Sequence, residues 1–201
     1  MNKSRMSVIA VLALALPVVA GAETHHFMVD SSHSEVGFKA RHLVSTVPGR
    51  FNDFEGEIWM DPADIAGTLK MSAVVQAASI NTDNEKRDGH LQSPDFFNVA
   101  EFPEIKFQST SVKKDGDEYV VTGDLTMHGV TKSVTLTAEY GGVATNPFTS
   151  TPTIGLDLSG KVNRQDFGIS WNKTLDAGGV VVGDDVKLDI HLEATVPPAK
   201  S

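Results

Sequence analysis

The chain has 201 residues, 40% of them hydrophobic, no cysteine, and a formal charge of −9. The absence of cysteine excludes a disulfide framework and thiol chemistry, so the fold must stand on its apolar core. The acidity argues against nucleic acid and anionic membrane surfaces as partners, and it is sufficient to keep a protein soluble.

In chain order, Lys3 and Arg5 precede an apolar run from Val8 to Ala20, closed by the small residues Ala20, Gly21 and Ala22. That pattern predicts a secretory signal peptide over 1–22, cleaved after Ala22, because the run is too short and wrongly flanked for a membrane-spanning helix. Loss of Lys3 and Arg5 would take the formal charge from −9 to −11. The remaining chain, 23–201, is the length of one ordinary domain. It is expected in the periplasm or secreted.

Beyond Glu23, apolar residues recur at every second position, the period of half-buried strands. "HHFMV" is a candidate short first strand. "SEVGFKARHL" turns Val36, Phe38, Ala40 and His42 to one face, and "NDFEGEIWM" does so with Phe54, Gly56, Ile58 and Met60. "LKMSAVVQA" follows with Met71, Ala73 and Val75. Thr82 with Glu85 three residues on fits a capping box, which predicts a helix of about two turns over "NEKRDGHL". Phe96 and Phe97 follow it, placed to plug or cover a barrel mouth.

"EIKFQST" then turns Ile105 and Phe107 inward. "KKDGDE" predicts an Asp-Gly hairpin, and "HGVT" a tight turn between Tyr119–Met127 and the strand carrying Val134, Leu136, Ala138 and Tyr140. Gly123, Leu125 and Met127 lie on the inward face of the first arm. "TIGLDLSGKVNR" aligns Leu156, Leu158, Gly160, Val162 and Arg164, and "DVKLDIHLEATV" aligns Val186, Leu188, Ile190 and Leu192. Eight strands with one short helix predict an all-β fold, an antiparallel lipocalin-like barrel, since closure removes sheet edges.

Such a barrel is either filled by side chains or holds one small ligand. Ala40, Gly56, Ala73, Ala77, Gly123, Ala138 and Gly160 are small at inward positions. They either leave an apolar tunnel to be completed by a guest or alternate with large residues to fit the barrel's taper. If a tunnel exists, the alternation assigns its lining to Phe38, Phe54, Ile58, Met71, Val75, Phe107, Leu125, Met127, Leu136, Leu156 and Leu188. Arg164 shares the inward parity, and a buried arginine must be paired, either to a ligand head group or to Asp166 or another acid. His42 is either a ligand hydrogen-bonding group or a satisfied core histidine. Arg87, Asp88 and His90 either close over the barrel as a lid or fix the loop.

The blocks "DSSHSEVGFKARHLVSTVPGRFNDFEGEI", "EKRDGHLQSPDFFNVAEFPEIKF", "GDLTMHGVTKSVTL" and "NRQDFGISW" together resemble the YceI-like family of exported proteins, also known as the polyisoprenoid-binding family. The resemblance runs from about Thr24 to Val196. It implies an eight-stranded antiparallel barrel with a long apolar tunnel, a bound isoprenoid such as a polyprenyl phosphate or quinone precursor, and a homodimer. It implies no established reaction and no cofactor. The sequence itself lacks a nucleophile elbow, a zincin motif or any histidine pair in ligand spacing, so neither a catalytic residue nor a metal ligand is assigned. Two alternatives to a lipid binder are a lipid-modifying enzyme, which needs several titratable groups converging at a mouth, and a ligand-free structural or stress-response barrel with a packed centre; a third, minor one is metal storage through the histidines.

Overall fold

A computed structural model describes residues 23–174 and 180–197. The expected signal peptide lies outside the described residues, as does the segment 175–179.

The chain forms β1 (His25–Val29), β2 (Glu35–His42), β3 (Ser45–Phe51), β4 (Phe54–Met60), a one-turn helix α1 (Ile65–Thr68), β5 (Lys70–Gln76), β6 (Ile80–Asn81) and helix α2 (Glu85–Gln92). It continues with β7 (Glu104–Asp115), β8 (Glu118–Met127), β9 (Val130–Thr145), β10 (Pro152–Asn163) and β11 (Val182–Thr195). Every pairing is antiparallel, and β11 closes the ring onto β1 through Met28↔Thr195 and Val29↔Ala194. β1 and β2 form one interrupted stave, as do β3 with β4 and β5 with β6. Counted this way, the eleven strands make eight staves in simple chain order, the up-and-down barrel that leaves few free edges.

The interruptions have local causes. Between β1 and β2, the Asp30 carboxylate accepts from the Ser32 amide at 2.9 Å, an Asx turn that lifts the chain out of the ladder. Ser34 Oγ and the Asp30 amide then tie this break back to the Glu193 backbone. Between β3 and β4, the amides of Asn52 and Asp53 donate to the Ser79 carbonyl and hydroxyl instead of to a strand neighbour.

Strand β3 is absent from the sequence-based expectation because Pro48 stands in its middle. Pro48 pairs with Lys39 of β2 on one flank. On the other flank β3 meets β6 only at Arg50 and Phe51, so no ladder donor is required of Pro48 there. The hairpin at "HGVT" is as expected: Met127 pairs with Val130 across His128 (φ 52°) and Gly129 (φ 73°). Two consecutive positive φ values match the twist of the flanking strands, and the histidine accepts the left-handed region because its Nδ1 bonds the Phe167 carbonyl at 3.0 Å.

The helix cap differs from expectation. Asn84, not Thr82, caps α2, accepting from the Arg87 amide at 3.0 Å. Thr82 is buried and serves as an anchor, donating to Asp88 Oδ1 at 2.5 Å and accepting from Arg87 Nε at 2.7 Å. Arg87 and Asp88 therefore pin the start of α2 to the end of β6.

The interior divides along the barrel axis. In the half near α1, Phe27, Ile58, Met60, Val121, Ile154 and Leu156 are all at most 2% exposed, and Ile65 and Leu69 from α1 close that end. Each fully buried side chain of this size contributes about 1.5–3 kcal/mol. The half near α2 is walled by the same staves but is not filled by them.

Candidate ligand cavity

The unfilled half is a cavity of about 220 Å³ with an almost wholly apolar wall. For scale, an engineered apolar cavity of about 150 Å³ stays dry and takes up benzene. Its floor is set by Ile58 and Met71 on the paired strands β4 and β5, with Leu136 and Leu158 opposite. Its walls include Val36, Phe38, Ala40, Phe54, Val75, Ile105, Phe107, Leu125 and Leu188. Its roof comes from Leu91 of α2, Phe96, Phe97 and Ile169. It is therefore a pocket blind at the α1 end, rather than a tunnel through the whole barrel.

At three inward glycines the space of the missing side chain is already taken. A Cβ on Gly123 would overlap the Phe107 ring, one on Gly160 would meet Leu136, and one on Gly56 would meet Val29. Those three absent side chains are already replaced by neighbours, the large/small alternation of a tapering barrel. Gly56 itself borders the cavity, as do Ala40 and Ala73. Both readings of the small residues hold within the one barrel.

Of the residues assigned from the sequence, Phe38, Phe54, Ile58, Met71, Val75, Phe96, Phe97, Phe107, Leu125, Met127, Leu136, Leu188 and Arg164 all border the cavity. Two do not. Leu156 points inward as its parity requires, but it lies in the packed half at 2% exposure. His42 stands half-buried at the end of β2, two residues beyond Ala40, and does not border the cavity. Phe51 and Ile80 also border the cavity. Phe51 escaped the sequence reading because Pro48 hid its strand, although Val47, Gly49 and Phe51 carry the period-two signal.

Arg164 is 4% exposed. Its Nε donates to the Gly183 carbonyl at 3.0 Å, and Nη1 donates to the carbonyls of Ile169 at 2.7 Å and Trp171 at 2.8 Å. Nη2 bonds Asp184 at 3.1 Å, so the acid partner is Asp184 and not Asp166. The guanidinium fork thus fastens the start of β11 to the 169–171 segment, at the rim of the cavity. Satisfying a buried charge by several acceptors is what makes its burial tolerable.

The roof is an aromatic cluster. His90 of α2 sits edge-on to Phe96 at 5.0 Å and to Trp171 at 4.9 Å, and Phe96 meets Trp171 at 5.2 Å. His90 Nε2 also bonds Asp95 at 2.9 Å, which fixes the ring. Phe97 is T-shaped on Phe51 at 5.8 Å. Adjacent in sequence, Phe96 and Phe97 both face the cavity because they sit in a turn and not in a strand.

Outside the cavity, Asp30, His33 and Glu193 bring possible metal-ligating atoms within 4.8 Å of one another. Asp30 and His33 already bond each other at 2.9 Å. That bond raises the His33 pKa, which favours the protonated imidazole that cannot ligate.

A closed up-and-down barrel with a blind apolar pocket under an aromatic roof defines a protein of the ligand-cavity barrel class. The YceI-like domain family matches residues 27–194, and the chain belongs to that family. A UPF0312 protein of Staphylococcus aureus (strain N315) is 40% identical over 172 residues, which are 85% of this chain and 98% of that one. Among solved structures, BcnA of Burkholderia cenocepacia aligns with a TM-score of 0.71 at 26% identity, covering 83% of this chain and 99% of that one. A Campylobacter jejuni YCEI protein aligns at 0.68 and 37% identity, covering 84% and 96%. A polyisoprenoid binding domain from Saccharophagus degradans shares the fold at a TM-score of 0.61 and 17% identity, covering 87% and 100%.

Proposed function

We propose that the protein binds a long-chain amphiphile of the isoprenoid type in the cavity, and sequesters or carries it after export to the periplasm or cell exterior. The observation that carries this reading is the apolar space of about 220 Å³ in a barrel whose other half is filled by buried side chains. A polyprenyl phosphate or a quinone precursor fits the chemistry: a hydrocarbon tail for the pocket and a polar head for the rim. Membership of the YceI-like family supports the reading, as does the fold shared with a domain described as polyisoprenoid-binding.

Burial is worth about 0.8 kcal/mol per methylene, so one five-carbon isoprene unit gains about 3–4 kcal/mol. Scaled from the benzene-sized cavity, the resting pocket takes about two such units. A longer tail must displace Phe96 and Phe97 or leave its remainder outside the mouth. Methylenes discriminate weakly, at about 1–3 kcal/mol each, so tail length is read loosely. A lipid-modifying reaction would require free titratable groups facing the tail, whereas Arg164 at the rim is committed to four acceptors of the chain itself.

Calorimetric titration of delipidated protein with a short polyprenol tests the reading. Saturable binding with a negative heat-capacity change is expected, the mark of apolar burial. Leu125→Trp, which fills the cavity from its wall, should remove it. Absence of binding to the unsubstituted protein would sink the proposal.

A further inference from the structure

The turn joining β2 to β3 carries the wrong residues for its shape. It is a two-residue hairpin loop, Leu43–Val44, between the paired residues His42 and Ser45. Such loops favour Asn-Gly or Asp-Gly, because the backbone enters the left-handed region. Here Leu43 occupies that region, at φ 51°, an outlier for a bulky apolar residue. The strain gains no burial in return: Val44 is 89% exposed and Leu43 is 43% exposed. Val180 joins them at 49% exposure, held alongside because the Leu43 amide donates to the Val181 carbonyl at 2.9 Å. A strained position that exposes apolar surface points to function rather than to stability.

The place of this tip says what it meets. It stands at the α2 end of the barrel, beside the cavity mouth. Ala40, two residues before His42, borders the cavity, and so does Val182, which pairs with His42. Two exposed cations flank it, Arg41, whose Nε bonds the Leu43 carbonyl at 3.1 Å, and Lys173, whose carbonyl accepts from the Val181 amide. Exposed acids stand at this end as well, Asp83 and Glu85 at the start of α2, Asp95 and Glu101 after it, and Asp166 after β10, but they lie on loops other than the β2–β3 tip. Apolar residues with flanking cations are the makings of an interfacial anchor. The net acidity opposes adsorption of the molecule as a whole, so attachment at this end would rest on these apolar side chains and the two cations beside them.

We infer that Leu43, Val44 and Val180 form a membrane-docking tip that seats the cavity mouth on a phospholipid bilayer, so that a lipid tail passes between bilayer and pocket without crossing water. The inference rests on the lipid-binding reading for its purpose, but its test does not. Vesicles of phosphatidylethanolamine and phosphatidylglycerol (3:1) are floated with the full mature protein. Part of the protein should float with them, and the double substitution L43N/V44G should lower the partition coefficient at least about tenfold, the effect of withdrawing part of two apolar side chains from the interface. Asn suits the left-handed position that Leu43 occupies, so this variant should stay folded with a nearly unchanged melting temperature, and Val44→Asp alone provides a second test. Phe148→Ser, at a 94% exposed residue on the opposite barrel end, should leave flotation unchanged. Failure of the unsubstituted protein to float, flotation of the double variant at full strength, or its loss in Phe148→Ser would each overturn the inference. So would a second copy as the occupant, seen as a dimer that the double variant dissociates with no effect on vesicles. A protein that floats but carries no lipid would instead sink the lipid-binding reading and leave the tip standing.

Discussion

Arg164 shows how one residue can be placed by sequence and still be misread in role. Its inward parity is legible, and so is the need for a partner. The partners are three main-chain carbonyls and Asp184, gathered from the irregular 169–171 segment and the start of β11. Removing the guanidinium leaves those buried carbonyls without donors. Arg164→Met should therefore cost about 3–5 kcal/mol, the range for breaking a buried ionic network, measured as a lower urea midpoint. A loss below about 1 kcal/mol, the scale of an exposed pair, would contradict the assignment. At the surface, the Asp30 carboxyl is held down to about 2, first by the Ser32 hydroxyl and then by His33, while its bond to Asp30 raises the His33 imidazole. A lowered carboxyl stabilises above its unfolded value of about 3.9 and loses that contribution as pH falls toward its folded value. A raised histidine stabilises below about 6.5 and loses that contribution as pH rises through its folded value. The pair is thus fully stabilising from about pH 4 to 6.5. In an NMR titration, Asp30→Asn should return the His33 pKa toward its ordinary value, and an unmoved midpoint would contradict the pairing.

Among elements, strands were legible where one face met the core and the other met water. The β8–β9 hairpin shows this best, since both its alternation and its turn residues agree with the observed register. β3 was not legible, because Pro48 reads as a breaker unless the neighbouring strand is known to be missing on that flank. The roof was half legible: α2 and the Phe96–Phe97 pair announce themselves, but Trp171, which completes the cluster across the mouth, comes from a distant segment. α2 buries no residue fully and is held by Arg87, Asp88 and the aromatic contacts of His90. An element with so few buried contacts opens more readily than the staves beneath it. Trp171→Ala should accordingly speed release of a bound polyprenol about tenfold, the loss of one to two aromatic contacts, in a stopped-flow exchange experiment. An unchanged off-rate would place the exit elsewhere.

Across the whole molecule, fold class and closure followed from the number and length of the strands, while the division into full and hollow halves did not. Parity says which way a side chain points, not how deep it lies, and so Leu156 and Leu136 look alike in sequence. Leu156 packs into the closed half and Leu136 forms the floor of the cavity. Nor does a glycine say what fills its place: Phe107 covers Gly123 from the next strand. Left empty, an apolar void costs about 20 cal/mol per Å² of its surface. A guest tail removes that cost, which ties binding to stability.

Organic extraction of protein purified from its native host, followed by mass spectrometry, tests this directly. The account predicts an isoprenoid lipid in near-stoichiometric amount from the unsubstituted protein and its loss from Leu125→Trp with the β fold retained; recovery of no lipid, or undiminished recovery from the filled variant, would contradict it.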